Sequence, residues 1–287
     1  MKIPPYWACV RFEGKDRKGR SQIFAASGWS FASLQAAKDD AAARAKRIFD
    51  RFTTGQTLNS YDYSDQPIRE EIIQEVFAGD AHIATVTRNR YGALVLNCRN
   101  VLFVDVDFPP VKGGGFLDSF LLAFSRKRRE ERRQAVIGDT VRGVEAWARE
   151  NPTNSFRLYR TKEGLRLLFT DREYEPNAAE TDAILAGLKA DPLYVKLTRK
   201  QECFRARLTA KPWRCGVTRP PSRYPWLDAQ AEAKYRKWEA GYTERDTSFR
   251  ICEFLSAHGE AADVPAIATV VGLHDQMTRV GTAAPLA

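Results

Sequence analysis

The sequence predicts an α+β protein in which a βαββαβ core of the ferredoxin-like type lies between an N-terminal αβ unit and C-terminal helices. Short apolar segments are typical of strands, and longer segments with apolar residues three and four positions apart are typical of helices. Between residues 101 and 208 they follow the order strand, helix, strand, strand, helix, strand, which is the ferredoxin-like order. We therefore divide the chain into an N-terminal unit (1–60), a core (61–225) and a C-terminal helical region (226–287).

The N-terminal unit is predicted to be a β-hairpin followed by a helix. Residues 7–12 alternate like a strand, and residues 22–26 are expected to pair with them. Residues 33–52 are expected to form a helix, because apolar residues recur there at helical spacing and the first residue, a serine, is a suitable N-cap. A polar stretch, residues 53–66, separates this unit from a second predicted helix, residues 68–77.

The next segments form the first half of the core. Residues 82–87 and 92–96 are predicted strands joined by a basic turn that contains glycine. Residues 101–107, VLFVDVD, are a predicted buried strand, and a long helix is expected over residues 117–150. The charge run RKRREERR at the centre of that helix is interpreted as a solvated face or loop, with a nucleic-acid contact as the alternative.

The second half of the core begins with a hairpin. Residues 156–161 and 165–170 are its predicted strands, followed by a helix over residues 178–188 and a strand near residues 203–208. Beyond a proline-rich connection, residues 226–271 are expected to be mainly helical.

Composition and charge limit the classes of function. Lys and Arg number 45 against 36 Asp and Glu, and the formal charge of +9 favours polyanionic partners such as nucleic acid. No apolar run reaches the ~20 residues that cross a bilayer, so we expect no membrane association. The N-terminus lacks the apolar centre of a secretory signal, and five scattered cysteines fit neither a disulfide framework nor a zinc site. These features predict a cytoplasmic protein, and they leave its oligomeric state open.

Two aspartates at the end of the buried strand are the first candidate site residues. Asp105 and Asp107 are two positions apart, so their side chains point to the same face of a strand. Adjacent carboxylates raise each other's pKa, and a divalent cation is the simplest way to keep both ionised. Mg²⁺ or Mn²⁺ suits such oxygen ligands together with substrate phosphates. The alternative is that both aspartates only cap the strand end.

The predicted strand order 4-1-3-2 brings further polar residues to the edge where this strand ends. Arginine and lysine beside metal-binding carboxylates are suited to phosphate chemistry. The residues expected there are Arg160, Thr161, Lys162, Gly164 and Arg166, together with Glu202 or Arg205.

Three segments together resemble the catalytic core of the archaeo-eukaryotic primase superfamily, the primase-polymerases: VLFVDVD, SFRLYRTKEGLRLLF and FRARLTAKPWRCG. That family carries an Asp-x-Asp/Glu motif, a Ser-x-His motif and a third acidic position on an RRM-like sheet. Asp105 and Asp107 match the first motif, and Arg166 stands roughly where the phosphate-contacting histidine would be. Asp191 and Glu202 are both candidates for the third acid.

The resemblance implies a metal-dependent nucleotidyltransferase that uses nucleoside triphosphates and a nucleic-acid template in replication. Asp105, Asp107 and Arg166 would be its catalytic residues, with Asp191 or Glu202 completing the metal site. Residues 160–162, 164 and 166 would bind the nucleotide.

Basic and aromatic residues outside these motifs are candidates for contacting nucleic acid through charge and ring stacking. They are Arg88, Arg90, Tyr91, Arg205, Arg207, Lys211 and Trp213. The alternatives are an exposed turn for the first three and a buried ring at a domain junction for Trp213. Two other functions remain open: a non-catalytic nucleic-acid-binding relative of the primases, and a metal-dependent nuclease.

Overall fold

Six helices and ten strands form the part of the chain that the structure, a computed structural model, describes: residues 1–55, 67–111 and 125–287. The helices are α1 (Leu34–Thr53), α2 (Arg126–Glu150), α3 (Ala179–Gly187), α4 (Pro192–Gln201), α5 (Ala229–Asp246) and α6 (Pro265–Thr278). The strands are β1 (Tyr6–Lys15), β2 (Ser21–Ser30), β3 (Glu71–Ala78), β4 (Ala81–Arg88), β5 (Leu94–Cys98), β6 (Phe103–Asp107), β7 (Phe156–Arg160), β8 (Gly164–Phe169), β9 (Phe204–Arg207) and β10 (Glu253–His258). The α+β class is confirmed.

The N-terminal hairpin and helix are confirmed. Strands β1 and β2 pair antiparallel, and Ser33 caps α1 by accepting a hydrogen bond from the amide of Ala36 at 3.1 Å. The helix approaches the hairpin so closely that a Cβ on Gly28 would lie 2.2 Å from the backbone nitrogen of Ala41. A fully buried row of alanines in α1, which includes Ala37, allows this approach.

A four-stranded sheet has the order β3-β4-β5-β9. The strands at residues 82–87 and 92–96 are confirmed as β4 and β5, but the helix expected over residues 68–77 is wrong, because Glu71–Ala78 is strand β3. The apolar residues of that segment fit both periodicities. Pairing with β4 decides in favour of the strand, and it makes β3 the edge of the sheet.

A second four-stranded sheet has the order β10-β7-β8-β6. Its β6-β8-β7 part has the neighbour order expected for strands one, three and two of the predicted core, with antiparallel pairing throughout. The fourth predicted strand, β9, does not join β6. It lies in the other sheet, and β10 is hydrogen-bonded to β7 instead. The structure therefore does not confirm the complete βαββαβ sheet.

The helices beyond β6 agree with the sequence except in two places. The long helix is present as α2, capped by Ser125, whereas its predicted start at residues 117–124 and most of the predicted polar stretch 53–66 lie outside the described residues. Helix α4 was not predicted, and the region expected to be helical after residue 226 contains strand β10. None of the helices in the described ranges has both the length and the apolar character needed to span a bilayer.

Contacts divide the chain into two compact units. The first, unit 1, consists of Met1–Glu75, Thr85–Val95 and Ala210–Ser248. The second, unit 2, consists of Val76–Ala84, Leu96–Thr209 and Phe249–Ala287. Each unit contains one group of the residues nominated from the sequence.

Two glycine substitutions test how closely α1 packs on the hairpin. Gly28→Ala places a methyl group into the backbone of α1, and we expect it to lower the free energy of unfolding by about 2 kcal/mol. The matched change Gly143→Ala lies in α2, where, apart from the helix's own backbone and the adjacent residues, no atom of the described ranges lies within 4 Å of the added Cβ. It should raise the same quantity by about 0.5–1 kcal/mol, because alanine favours a helix. Urea denaturation measures both, and equal effects would contradict the close approach.

Candidate functional site

An ion pair between β6 and β8 is the centre of the group in unit 2. Asp105 and Arg166 are direct partners in the antiparallel register. The Arg166 Nε donates to Asp105 Oδ1 at 2.8 Å, and Nη2 donates to Oδ2 at 3.1 Å. The arginine side chain is only 2% exposed, whereas the aspartate side chain is 32% exposed. Both carboxylate oxygens of Asp105 thus accept hydrogen bonds from the buried guanidinium of Arg166.

Arg166 is held from several sides. Its Nη1 donates to the backbone carbonyl of Arg207 at 2.9 Å and lies 3.9 Å from the Sγ of Cys252. Burial lowers the pKa of the guanidinium, but the carboxylate of Asp105 outweighs burial, so the pKa is raised and the charge is kept. The residue expected to grip a triphosphate is therefore an internal cation in this structure, and its charge stabilises a carboxylate of the protein itself.

The β7–β8 turn lies beside the end of β6, as expected from the strand order. Gly164 is the register partner of Asp107, and a Cβ at Gly164 would lie 2.3 Å from the carbonyl oxygen of Val106. Thr161 closes the turn by donating its amide to the carbonyl of Gly164 at 2.8 Å. The Nζ of Lys162 donates to the backbone carbonyl of Leu286 at 3.0 Å. Arg160 ends β7, one residue before the turn.

The two candidates for a third carboxylate lie at opposite ends of α4. Asp191 precedes the helix, where its backbone amide donates to the carbonyl of Asp105 at 3.0 Å and its carboxylate caps the helix by accepting from Leu193. Glu202 follows the helix in the left-handed conformation, with φ of 52°. Between them, the hydroxyl of Tyr194 donates to the carbonyl of Phe103 at 2.5 Å. Asp191 is therefore the acid whose backbone adjoins the aspartate strand.

The pairing of Asp105 with Arg166 bears on the two-ion site expected from the sequence. A divalent ion at Asp105 would share a carboxylate that already accepts two hydrogen bonds from Arg166, and the guanidinium charge would repel it. Asp107 is exposed, and Asp191 uses a carboxylate oxygen as a helix cap.

A second buried polar group in unit 2 was not expected from the sequence. The Sγ of Cys252 lies 3.7 Å from Nε2 of His274, whose Nδ1 lies 3.0 Å from Oδ1 of Asp275. Tyr159 donates its hydroxyl to the same carboxylate oxygen at 2.7 Å. The order resembles a nucleophile triad, but burial raises the pKa of the Cys252 thiol to about 11. Because Cys252 and His274 are both fully buried, we interpret the group as part of the core.

In unit 1, the structure brings together four of the residues nominated for nucleic acid. The rings of Tyr91 and Trp213 meet edge to face with centroids 5.3 Å apart. The guanidinium of Arg90 lies 4.7 Å from the Tyr91 ring centroid, and Lys211 Nζ lies 5.8 Å from that of Trp213. Arg219 adds a further guanidinium at 5.5 Å from the Trp213 ring. We call these five residues the aromatic–cation cluster.

The aromatic–cation cluster lies at the surface: Arg90, Trp213 and Arg219 are exposed, and Tyr91 and Lys211 are half-buried. Trp213 has 45% of its surface exposed, so the predicted alternative of a buried ring is wrong. Its short 3₁₀ turn, Pro212–Arg214, follows Ala210, which accepts a hydrogen bond from the hydroxyl of Tyr242 at 2.5 Å. The amide of Ala210 in turn donates to the carboxylate of Asp246 at 2.6 Å.

Three other nominated arginines are not members of this cluster. Arg88 is largely buried, with Nε 3.6 Å from the carboxylate of Glu71 and Nη2 paired with Glu239. Arg205 and Arg207 lie on β9 in unit 2, where Arg205 donates to the side chain of Gln201 at 2.7 Å. The structure thus places the seven predicted nucleic-acid residues in three different settings. Four belong to the aromatic–cation cluster, Arg88 is in an internal ion pair, and Arg205 and Arg207 lie on β9.

Comparison of the chain with protein-family models, with curated proteins and with solved structures finds no match. The resemblance to the primase-polymerases therefore stays a prediction from the sequence.

A double-mutant cycle tests the ion pair between β6 and β8. Asp105→Asn leaves a buried guanidinium without its counter-charge and should lower the free energy of unfolding by about 3 kcal/mol. Adding Arg166→Met should restore part of the loss, with a coupling energy above about 1 kcal/mol. The matched control is the exposed pair of Asp139 and Arg142 on α2, for which the same substitutions should couple by less than about 0.5 kcal/mol. Similar coupling for both pairs would contradict the central role of Asp105 and Arg166.

Proposed function

We propose that this chain is a nucleic-acid-binding protein that recognises single-stranded DNA or RNA through the aromatic–cation cluster of unit 1. The observation that carries this proposal is the exposed Trp213 ring, which is accompanied by Tyr91 and by three cations. An aromatic ring on the surface offers a stacking face to an unpaired base, and neighbouring arginine and lysine attract its phosphates. The formal charge of +9 favours the same class of partner.

Single strands fit the cluster better than a duplex does. A base can stack on Trp213 only when it is free of its own neighbours, and bases within a duplex are already stacked. We also propose a cytoplasmic location, which is supported by five free cysteines, as expected in a reducing compartment.

Removal of the exposed ring is the direct test. Trp213→Ala should weaken binding of an unstructured oligonucleotide by about 1–3 kcal/mol, or roughly 5- to 150-fold, because one base loses its stacking partner. Fluorescence anisotropy of a labelled strand measures this affinity. The matched control is Phe31→Ala, which removes another exposed ring of unit 1 that lies outside the cluster. It should leave the affinity unchanged.

Two results would count against the proposal. The first is equal loss of affinity in both aromatic variants, which would indicate a general effect on the fold. The second is tighter binding to a duplex than to its separated strands, because stacking on an exposed ring favours unpaired bases.

A second candidate function is the metal-dependent nucleotidyl transfer that the primase resemblance implies, with an RRM-like core that uses nucleoside triphosphates. One contact favours it: the amide of Asp191 donates to the carbonyl of Asp105, so a third acidic residue adjoins the Asp105 and Asp107 strand. Against it stands the pairing of Asp105 with Arg166. The nuclease alternative has no separate observation in its favour.

Nucleotide incorporation decides whether the second candidate holds. If it is right, the wild-type chain should extend a primed or unprimed template with labelled nucleotide when Mg²⁺ or Mn²⁺ is added, and Asp107→Asn should lower the rate by at least about 100-fold, because a lost metal ligand removes charge neutralisation. Glu163→Gln, an exposed change at the β7–β8 turn, is the control and should retain full rate. Absence of incorporation with either metal and several templates would exclude the second candidate while leaving the binding proposal intact.

A further inference from the structure

A shallow, solvent-open pocket lies in unit 1 beside the β4–β5 turn, which carries Arg90. Its walls are rich in guanidinium groups, which come from Arg69, Arg88, Arg90 and Arg223. Among the described residues of the lining, Glu71 provides the one carboxylate. The lining is therefore strongly basic.

Internal pairs account for part of this charge. Glu71 and Glu239 hold Arg88, and Glu71 also accepts from Arg236 at 2.6 Å. The carboxylate in the wall is thus committed to two arginines of the protein, which reduces its repulsion of an incoming anion. Arg88 lines the pocket with a guanidinium that the two glutamates hold in place.

Two exposed arginines give the pocket its excess charge. Arg223 is exposed, and Arg90 is exposed with its guanidinium resting on the ring of Tyr91. Arg69 donates from Nη1 to the hydroxyl of Ser27 at 2.8 Å. Planar guanidinium groups that line a pocket can donate pairs of hydrogen bonds to the oxygens of a phosphate.

Arg90 belongs both to this pocket and to the aromatic–cation cluster. Its guanidinium lies over Tyr91, and Tyr91 meets Trp213 edge to face. We infer that the pocket is a phosphate-binding site, and that it holds a phosphate of the same strand whose base stacks on Trp213. This inference rests on the proposed function for the identity of the strand, whereas the phosphate site follows from the pocket itself.

The phosphate could belong to the end of a strand or to its interior. Both share the chemistry that the arginines recognise, and strands with and without a 5′-phosphate distinguish them. If Arg223→Ala abolishes a preference of the wild type for the 5′-phosphorylated strand, the site takes a terminal phosphate. Equal loss of affinity for both strands assigns it to an internal phosphodiester.

The experiment uses the full chain with Arg223→Ala and, as its matched control, Arg47→Ala, which removes an exposed arginine of α1 in the same unit. Arg223→Ala should weaken oligonucleotide binding about tenfold and reduce the slope of log affinity against log salt by about 1. Arg47→Ala should change neither quantity. An identical response of the two variants would overturn the assignment of the pocket.

Inorganic phosphate tests the pocket independently of any strand. At constant ionic strength, phosphate should raise the thermal unfolding midpoint of the wild type and of Trp213→Ala by more than that of Arg223→Ala, because only the first two keep the site. General stabilisation by phosphate acts on all variants alike, so the difference between variants is the measure. No such difference would overturn the phosphate site. A clear difference in the midpoint shift, together with an oligonucleotide affinity that Trp213→Ala leaves unchanged, would uphold the phosphate site and refute the proposed function.

Discussion

The ion pair of Asp105 with the buried Arg166 is the constraint on which unit 2 depends. A guanidinium that is almost completely enclosed is very costly without a counter-charge, so β6 and β8 must keep the register that places the two side chains opposite each other. Arg166 also donates to the backbone carbonyl of Arg207, the last residue of β9. This hydrogen bond links the end of β9 to the ion pair. Strand register, burial and charge therefore depend on one another.

The same pair changes how the aspartates are interpreted. The sequence shows two carboxylates on one face of a strand, and a metal ion is one way to compensate their repulsion. The structure supplies another way, because Asp105 is compensated from within the protein and Asp107 is exposed to solvent. A signal for this was present: Arg166 interrupts an otherwise apolar strand, and such a residue requires an acidic partner.

Local patterns predicted much of the fold, and distant pairings decided the rest. The α1 helix was predictable because its serine cap and its alanine row lie within a single segment. Strand β3 was not, because its apolar spacing suits a helix as well and only pairing with β4 selects the strand. The candidate site residues were likewise predictable one by one, but not their contacts with distant parts of the chain. Tyr91 and Trp213 were each nominated, but their contact joins positions far apart in the chain, and the proximity of Cys252 to His274 has no local pattern at all.

The anchoring of Ala210 to α5 has a consequence for ligand capture. Because Tyr242 and Asp246 hold the backbone just ahead of Trp213, the ring stands on a support that is ordered before any ligand arrives. The binding proposed for this cluster would then cost little conformational entropy on the protein side, and most of the ordering would fall on the strand. Under the proposed function, such preorganisation would raise the affinity for an unpaired base, because the ring needs no ordering on binding.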